Sequence, residues 1–254
     1  MTYARVQHRD RLLVLLALAV LIAMAWAYTL RIGLQQATMP NRMIMPEGKA
    51  WSAADFVFMF VMWAVMMFAM MLPSVTPTVM IFEKVRRQRE TSGRAFAPTA
   101  AFVAGYLTAW AGFSMMATGL NWWLHTNGFM SSMMGSVGPQ IAGTLLVVAG
   151  VFQWTRLKDA CLRHCRSPMS FLMQHWRERP AGAVLMGIHH GAYCLGCCWL
   201  LMLLLFVLGV MNLPWVALLT LIVLTEKILP WGRYISRAFG LVLIPWGLWL
   251  ALAA

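Results

Sequence analysis

Charged residues are scarce in this sequence, and no long polar stretch interrupts it. Only 11% of the 254 residues are Asp, Glu, Lys or Arg, whereas 61% are hydrophobic. The apolar residues fall in runs of about twenty, which suits helices that cross the ~30 Å hydrocarbon core of a bilayer. The lack of polar sequence excludes a separate soluble domain. It predicts a single integral membrane domain over residues 1–254.

Acidic residues are the rarest charged class. The chain has 8 Asp and Glu against 20 Lys and Arg, which gives a formal net charge of +12. A nucleic-acid partner would explain such a charge in a soluble protein. In a chain this apolar, cytoplasmic loops rich in Lys and Arg explain it first. We therefore predict that the chain lies in a lipid bilayer and that it does not bind nucleic acid.

Cysteine is also infrequent, and two catalytic signatures are missing. The five cysteines are an odd number, and none lies in a predicted exterior loop, which argues against a structural disulfide framework. The sequence has no nucleotide-binding loop and no phosphorylated-aspartate motif, so it encodes no ATP-driven pump.

The apolar segments predict an all-α, polytopic membrane helix bundle of about seven transmembrane helices. They lie near residues 12–30, 53–72, 98–120, 138–154, 182–208, 213–229 and 238–254. Pro73 and Pro77 are expected to end or kink the second. Seventeen basic residues fall on one side of this arrangement and three on the other. That asymmetry predicts a cytoplasmic N-terminus in the bacterial inner membrane.

The fifth segment carries an unusual group of polar and sulfur side chains. His190 and Cys194 are separated by one helical turn, and Cys197 and Cys198 follow one turn later, so they share a helix face. Imidazole and thiolate suit soft or borderline metals such as Cu(I) and Zn(II). The alternative is simple packing, because a free cysteine behaves as a small hydrophobic residue. Three cysteines within five residues favour a metal site over packing.

The second segment carries a stripe of methionines. Met59, Met62, Met66 and Met70 step along one helix face, and Met67 and Met71 flank them. Such stripes commonly serve packing alone. A thioether is also a soft, neutral ligand that selects Cu(I) over harder ions. We predict that the six sulfurs pass Cu(I) towards the cysteine cluster.

The predicted exterior loops also contain several methionines. Met39, Met43 and Met45 lie in the first loop. The second is expected to capture metal through His125, Met130, Met133 and Met134. Methionine in a polar exterior loop is not explained by core filling, although an amphipathic turn that dips into the membrane interface is the alternative.

A basic loop near residues 155–181 contains a second cysteine pair. Cys161 and Cys165 are one helical turn apart, so one face presents both thiols. Nearby Lys158, Arg163 and Arg166 are expected to lower the thiol pKa values and favour thiolate. The pair is a candidate cytoplasmic exit site for the metal. A basic helix that touches anionic lipid is the alternative.

These motifs together resemble a bacterial domain-of-unknown-function family of predicted metal-binding integral membrane proteins. The matching pieces run from Ala69–Ser74 with Pro77, through Gln153–Lys158 and Cys161–Pro168, to His190–Trp199. They continue with Leu201-Met202, Gly209–Asn212 and the adjacent Glu226 and Lys227. The resemblance begins near residue 51 and implies metal binding without naming a substrate. We expect Glu226 and Lys227 to neutralise one another.

The preferred interpretation is a protein that imports Cu(I) and is not an enzyme. The ion would enter at the exterior methionines and His125, pass the methionine stripe and the cluster that ends at Cys198, and leave near Cys165. Zinc remains open as the metal. Two other classes also remain: a thiol–disulfide oxidoreductase that uses Cys194 and Cys197, and a metallochaperone or assembly factor for a cuproenzyme. A soluble metallochaperone partner on either side and an oligomeric state are left open.

Overall fold

The computed structural model describes residues 2–38, 51–89, 96–130, 135–177 and 180–253. In this part of the chain the protein is all-α, with one isolated bridge between Met130 and Val137. The helices are α1 Thr2–Thr38, α2 Ala53–Arg89, α3 Phe96–Thr126, α4 Pro139–Phe152, α5 Arg156–Arg166, α6 Pro168–His175, α7 Pro180–Leu203, α8 Leu205–Leu208, α9 Leu213–Ile228 and α10 Gly232–Leu252.

Five stretches of helix are long and apolar enough to cross a membrane. They are Arg11–Thr38, Ala53–Arg89, Ala97–Thr126, Ala181–Leu208 and Gly232–Leu252. The other two predicted segments correspond to α4, with 14 residues, and α9, with 16 residues. At 1.5 Å per residue both are shorter than the hydrocarbon core of a typical bilayer. The helical bundle is thus confirmed, and the number of seven spans stays a prediction.

The prediction that α2 ends at its prolines is wrong, because the helix runs through Pro73 and Pro77 to Arg89; a kink there stays a prediction. Ser74 Oγ donates to the carbonyl of Met71 at 2.9 Å, and Thr76 Oγ1 donates to that of Leu72 at 2.9 Å. Side-chain hydroxyls of this kind support the backbone of an apolar helix next to a proline. The buried face of α2 therefore continues past its methionines.

Small residues bring α3 and α7 into close contact. A Cβ atom on Gly105 would overlap the carbonyl oxygen of Val184, and one on Gly187 would overlap that of Phe102. Gly191 approaches Ala109 in the same interface. Such contacts allow backbones to approach closely, as in small-xxx-small helix pairs. They fix the height of α7 against α3, and with it the position of the cysteines that α7 carries.

The basic loop folds back against the bundle as two short helices. Thr155 caps α5, since its side-chain oxygen accepts a hydrogen bond from the backbone N–H of Lys158 at 3.3 Å. Leu162 on α5 and Phe171 and Leu172 on α6 are buried. Burying these apolar faces stabilises the folded-back arrangement. It presents Cys161 and Cys165 to the side of α7.

Candidate metal centre

The three cysteines of α7 lie together in the interior of the bundle. Cys194 and Cys197 are each 1% exposed, and Cys198 is 0% exposed. The thiols of Cys197 and Cys198 each lie 3.0 Å from the carbonyl oxygen of Cys194, to which they donate. The helical spacing therefore gathers three sulfurs within one turn of a buried helix.

Cys165 joins this group from α5. Its side chain lies close enough to Cys194 and Cys197 to interact with both. We call Cys165, Cys194, Cys197 and Cys198 the thiol centre. It brings together residues more than twenty-five positions apart in the sequence, and it depends on the way α5 folds back onto α7. Two helices thus supply the sulfurs.

Cys161 lies beside the thiol centre, at Gly196. A Cβ atom on Gly196 would come within 2.7 Å of Cys161 Sγ, so the glycine makes room for that sulfur. Burial raises the pKa of the Cys161 thiol. Hydrogen bonds to Cys194 and Cys197 raise the pKa of the Cys165 thiol.

The expectation that neighbouring basic residues lower these two pKa values is wrong. Lys158 Nζ lies 2.8 Å from Glu226 Oε2, with both side chains 1% exposed, so its charge is already paired. Arg163 and Arg166 line an open cleft on another face of α5. Sequence proximity placed these cations near the thiols, but the helix turns their side chains elsewhere.

Lys227 is the site residue that sequence reasoning missed. Its ammonium nitrogen lies 2.9 Å from Cys194 Sγ and 3.1 Å from Ser74 Oγ. It also lies 3.9 Å from Met71 Sδ. On the other side, Tyr106 Oη and Cys194 Sγ share a hydrogen bond of 3.0 Å. A buried cation therefore faces the thiol centre, where it stabilises a negative charge on sulfur.

Glu226 and Lys227 do not neutralise one another, contrary to our expectation. Glu226 accepts from Lys158, whereas Lys227 points to Cys194. Adjacent residues of a helix point in different directions and cannot face each other. Lys158 also donates to Gln153, whose side-chain oxygen accepts from Ser236 Oγ at 2.7 Å. The motif residues Gln153, Lys158 and Glu226 thus form one buried polar network.

His190 is 3% exposed and lies among aromatic rings. Its ring centroid is 5.1 Å from that of Phe171 and 6.1 Å from that of Tyr106. Within the described part of the chain, its Nδ1 atom has no hydrogen-bond partner. A buried imidazole nitrogen without a partner is costly. One turn from Cys194, this nitrogen can therefore accept or donate a hydrogen bond, depending on which ring nitrogen carries the proton.

The methionines of α2 are core residues. Met59, Met62, Met66, Met67, Met70 and Met71 are each at most 1% exposed. Of the six, Met71 approaches Lys227 and so borders the thiol centre. The stripe is therefore continuous in the bundle interior and ends beside the cysteines, and its role in carrying metal stays a prediction.

The loop residues differ from the expectation of an exposed capture site. His125 Nδ1 accepts from Trp51 Nε1 at 3.1 Å. Met130 is 8% exposed and belongs to the hydrophobic core, so core packing does explain this methionine. Met39, Met43, Met45, Met133 and Met134 lie outside the described residues.

The donor chemistry of the centre fits a soft metal. Its sulfurs are thiols, with the Met71 thioether at the border, and these ligand types select Cu(I). Among the described residues, no three His, Cys, Asp or Glu side chains form a ready cage for a metal ion. The arrangement instead offers paired sulfurs beside a fixed positive charge.

A family model described as PpoB2, copper chaperone, matches residues 60–250, which is more than half of the chain. No curated protein and no solved structure matches the sequence. The matched range contains the methionines from Met62 onwards, the thiol centre and Lys227. This chain belongs to the PpoB2 copper chaperone family.

Proposed function

We propose that the protein is a membrane-embedded chaperone that receives Cu(I) at the thiol centre. The observation that carries this proposal is the arrangement around Cys194. Its sulfur lies 2.9 Å from the Lys227 ammonium and is near the Cys165 side chain. Two helices therefore supply thiols to one buried point at which a cation already balances negative charge. Soft sulfur ligands are the chemistry that Cu(I) prefers.

The charge of the site favours a monovalent ion. A Cu(I) ion held by two thiolates carries one net negative charge, which the Lys227 ammonium cancels. Zn(II) in the same place would leave one net positive charge in a buried site, and unbalanced charge there is expensive. With two thiolate ligands, the charge balance therefore supports copper over zinc.

The membrane placement is supported by the five long apolar helices and by their exposed side chains. Leu252 is 84% exposed, Trp249 65% and Leu241 60%, all on α10. A large apolar surface of this kind is unusual for a protein in water. The asymmetry of Lys and Arg supports a cytoplasmic N-terminus in the bacterial inner membrane.

The route that we propose runs along α2. Met59 and Met71 are twelve positions apart, or about 18 Å along the helix. Cu(I) would pass along this stripe to Cys194 and leave through Cys165 and Cys161, which lies at the edge of the centre. His125, together with the loop methionines, would supply the ion from the other side. A soluble metallochaperone would accept or donate it, and oligomerisation is compatible with this route.

The experiment is an anaerobic Cu(I) titration of the purified protein against a competing chelator. We expect tight binding that is lost in the variant Cys194→Ser/Cys197→Ser/Cys198→Ser. Cys165→Ser should weaken binding, and Cys161→Ser, the same chemical change on the same helix, should weaken it less, because Cys161 lies at the edge of the centre. Equal binding by all forms, or none by the wild type, would overturn the proposal.

A thiol–disulfide oxidoreductase is the second candidate, because Cys165 lies near both cysteines of the pair Cys194 and Cys197. Thiol exchange requires access for a partner sulfur, and the α7 thiols are almost fully buried. Thiol trapping under oxidising and reducing conditions separates the two functions. A mixed disulfide with a partner protein would favour the oxidoreductase, and thiols protected by Cu(I) would favour the chaperone.

A further inference from the structure

An open cleft of about 290 Å³ lies between α5 and the start of α10. It is lined by Arg156, Asp159, Leu162, Arg163, Arg166 and Arg233. Four guanidinium groups therefore face one carboxylate, and the cleft carries a marked excess of positive charge. Like charges held this close repel one another, so the arrangement calls for an anion.

The shape of the cleft is fixed by contacts from three elements. Arg233 Nη2 donates to Asp159 Oδ2 at 2.6 Å, which ties α10 to α5. Arg166 Nη2 donates to the carbonyls of Leu229 and Pro230 at 2.8 and 2.7 Å. A guanidinium has five N–H donors, so each of these arginines keeps donors for a ligand. Arg156 and Arg163 are exposed at the rim.

The surroundings of the cleft are apolar and aromatic. Trp231 and Tyr234 are each 71% exposed, and Leu157 is 62% exposed. Tryptophan and tyrosine collect where a spanning helix meets the lipid headgroups. Trp231 and Tyr234 flank Arg233 at the first turn of α10, which is one of the five candidate spans. The cleft therefore lies at headgroup level if α10 crosses the bilayer.

We infer that this cleft binds the phosphate of an acidic phospholipid, with the acyl chains along the exposed apolar face of α10. Arginine suits this role, because its planar fork donates two parallel hydrogen bonds to a phosphate. The inference rests on the proposed membrane placement, but not on copper binding. The lipid would also brace α5, the helix that supplies Cys165 to the thiol centre.

The test compares full-length protein in nanodiscs of phosphatidylcholine with and without phosphatidylglycerol, followed by release into detergent and mass spectrometry of the retained lipid. We expect phosphatidylglycerol to be retained in preference to phosphatidylcholine. The variant Arg156→Gln/Arg163→Gln should lose about tenfold or more of this retention. The variant Arg31→Gln/Arg177→Gln, with the same loss of charge on residues that do not line the cleft, should behave as the wild type.

Equal retention of both lipids by the wild type would overturn the inference. Equal retention of phosphatidylglycerol by the cleft variant and the wild type would overturn it as well. Displacement of phosphatidylglycerol by inorganic phosphate alone would show a site for free anions instead. Recovery of the protein without detergent in the soluble fraction would contradict the membrane placement itself, and fractionation separates that failure from the others.

Discussion

Lys227 Nζ lies 2.9 Å from Cys194 Sγ, and the two residues come from different helices. Both are buried, with 9% and 1% of their surfaces exposed. An ammonium group in such a place needs a negative partner. In the structure that partner is the sulfur of Cys194, assisted by Ser74 Oγ at 3.1 Å. The protein thus carries its own counter-charge at the point where we expect the ion to bind.

Replacing this counter-charge should change which metal binds. Lys227→Met removes a charge-assisted hydrogen bond of about 1.5–3 kcal/mol, so Cu(I) affinity should fall about ten- to a hundredfold. Zn(II) affinity should hold or rise, because the site no longer carries an unbalanced positive charge with a divalent ion. Competition titrations with both ions measure the ratio. Lys227→Arg keeps the charge and should retain the preference for Cu(I), and equal losses for both metals in Lys227→Met would contradict the charge argument.

The α7 part of the site could be predicted from the sequence because it is local. His190 and Cys194 are one turn apart on a single helix, and periodicity alone places them on one face. Cys165 was recognised as one of a pair, but its contact with Cys194 depends on α5 folding back onto α7. No local pattern specifies that packing, since it follows from burial of Leu162 and Phe171 against the bundle.

The partners of the charged residues, in contrast, could not be predicted from the sequence. Sequence proximity suggested that Glu226 neutralises Lys227 and that Lys158 acts on the thiols. The first fails because adjacent residues of a helix point in different directions, and the second because the charge of Lys158 is already paired with Glu226. Each buried charge instead has a partner on another element, as with Lys158 and Glu226 at 2.8 Å. The continuity of α2 also depends on contacts of individual side chains. Hydroxyl groups such as Ser74 Oγ support the helix backbone at the first proline, and the proline pattern alone does not predict this.

Breaking the buried pair of Lys158 and Glu226 should destabilise the fold. Glu226→Gln leaves an ammonium buried without its carboxylate, which costs about 3–5 kcal/mol. Lys158→Met/Glu226→Leu removes both charges and should recover most of that loss. Thermal or denaturant unfolding in detergent gives the free energies. Asp159→Asn, which breaks ion pairs with the exposed Arg233 and the half-exposed Arg237 side chains, is the control and should cost less than about 1 kcal/mol for each pair. A similar loss in all three variants would contradict this account.

The close approach of α3 and α7 makes Gly187 sensitive to a single methyl group. Gly187→Ala would place its Cβ against the carbonyl oxygen of Phe102, and the backbone there cannot rotate away. We expect a loss of about 1–3 kcal/mol from overpacking, together with weaker Cu(I) binding as α7 shifts. Gly112→Ala is the matched control, because its Cβ would meet no atom within 4 Å. It should be neutral or slightly stabilising, and equal effects of the two changes would argue against the interface.

The raised pKa of Cys161 predicts slow alkylation near neutral pH. In the folded protein the thiol keeps its proton to a higher pH than the ordinary value of about 8.5, because burial disfavours the thiolate. The protonated Cys161 thiol contributes its full stabilisation below the ordinary thiol pKa. That stabilisation is lost as the pH rises through the raised pKa of the folded protein. Iodoacetamide labelling at a series of pH values measures the midpoint. Trypsin cleaves after Arg163 and so separates Cys161 from Cys165 for mass spectrometry, and the denatured chain serves as the reference. A midpoint below that of the denatured chain would contradict the prediction.

The methionine stripe can be tested apart from the thiol centre, because its members can change without loss of volume. Met59→Leu/Met62→Leu/Met66→Leu replaces three buried thioethers, and each substitution should cost less than about 1.5 kcal/mol. If these sulfurs carry Cu(I), the variant should load the thiol centre more slowly while its equilibrium affinity for Cu(I) is unchanged.

The matched control is Met186→Leu/Met202→Leu/Met211→Leu, which alters three methionines that are also buried but lie off α2. Stopped-flow transfer from a Cu(I) donor separates rate from affinity. Equal loading rates in both variants and the wild type would reduce the stripe to packing, because a conducting row of thioethers cannot lose three members without slowing transfer.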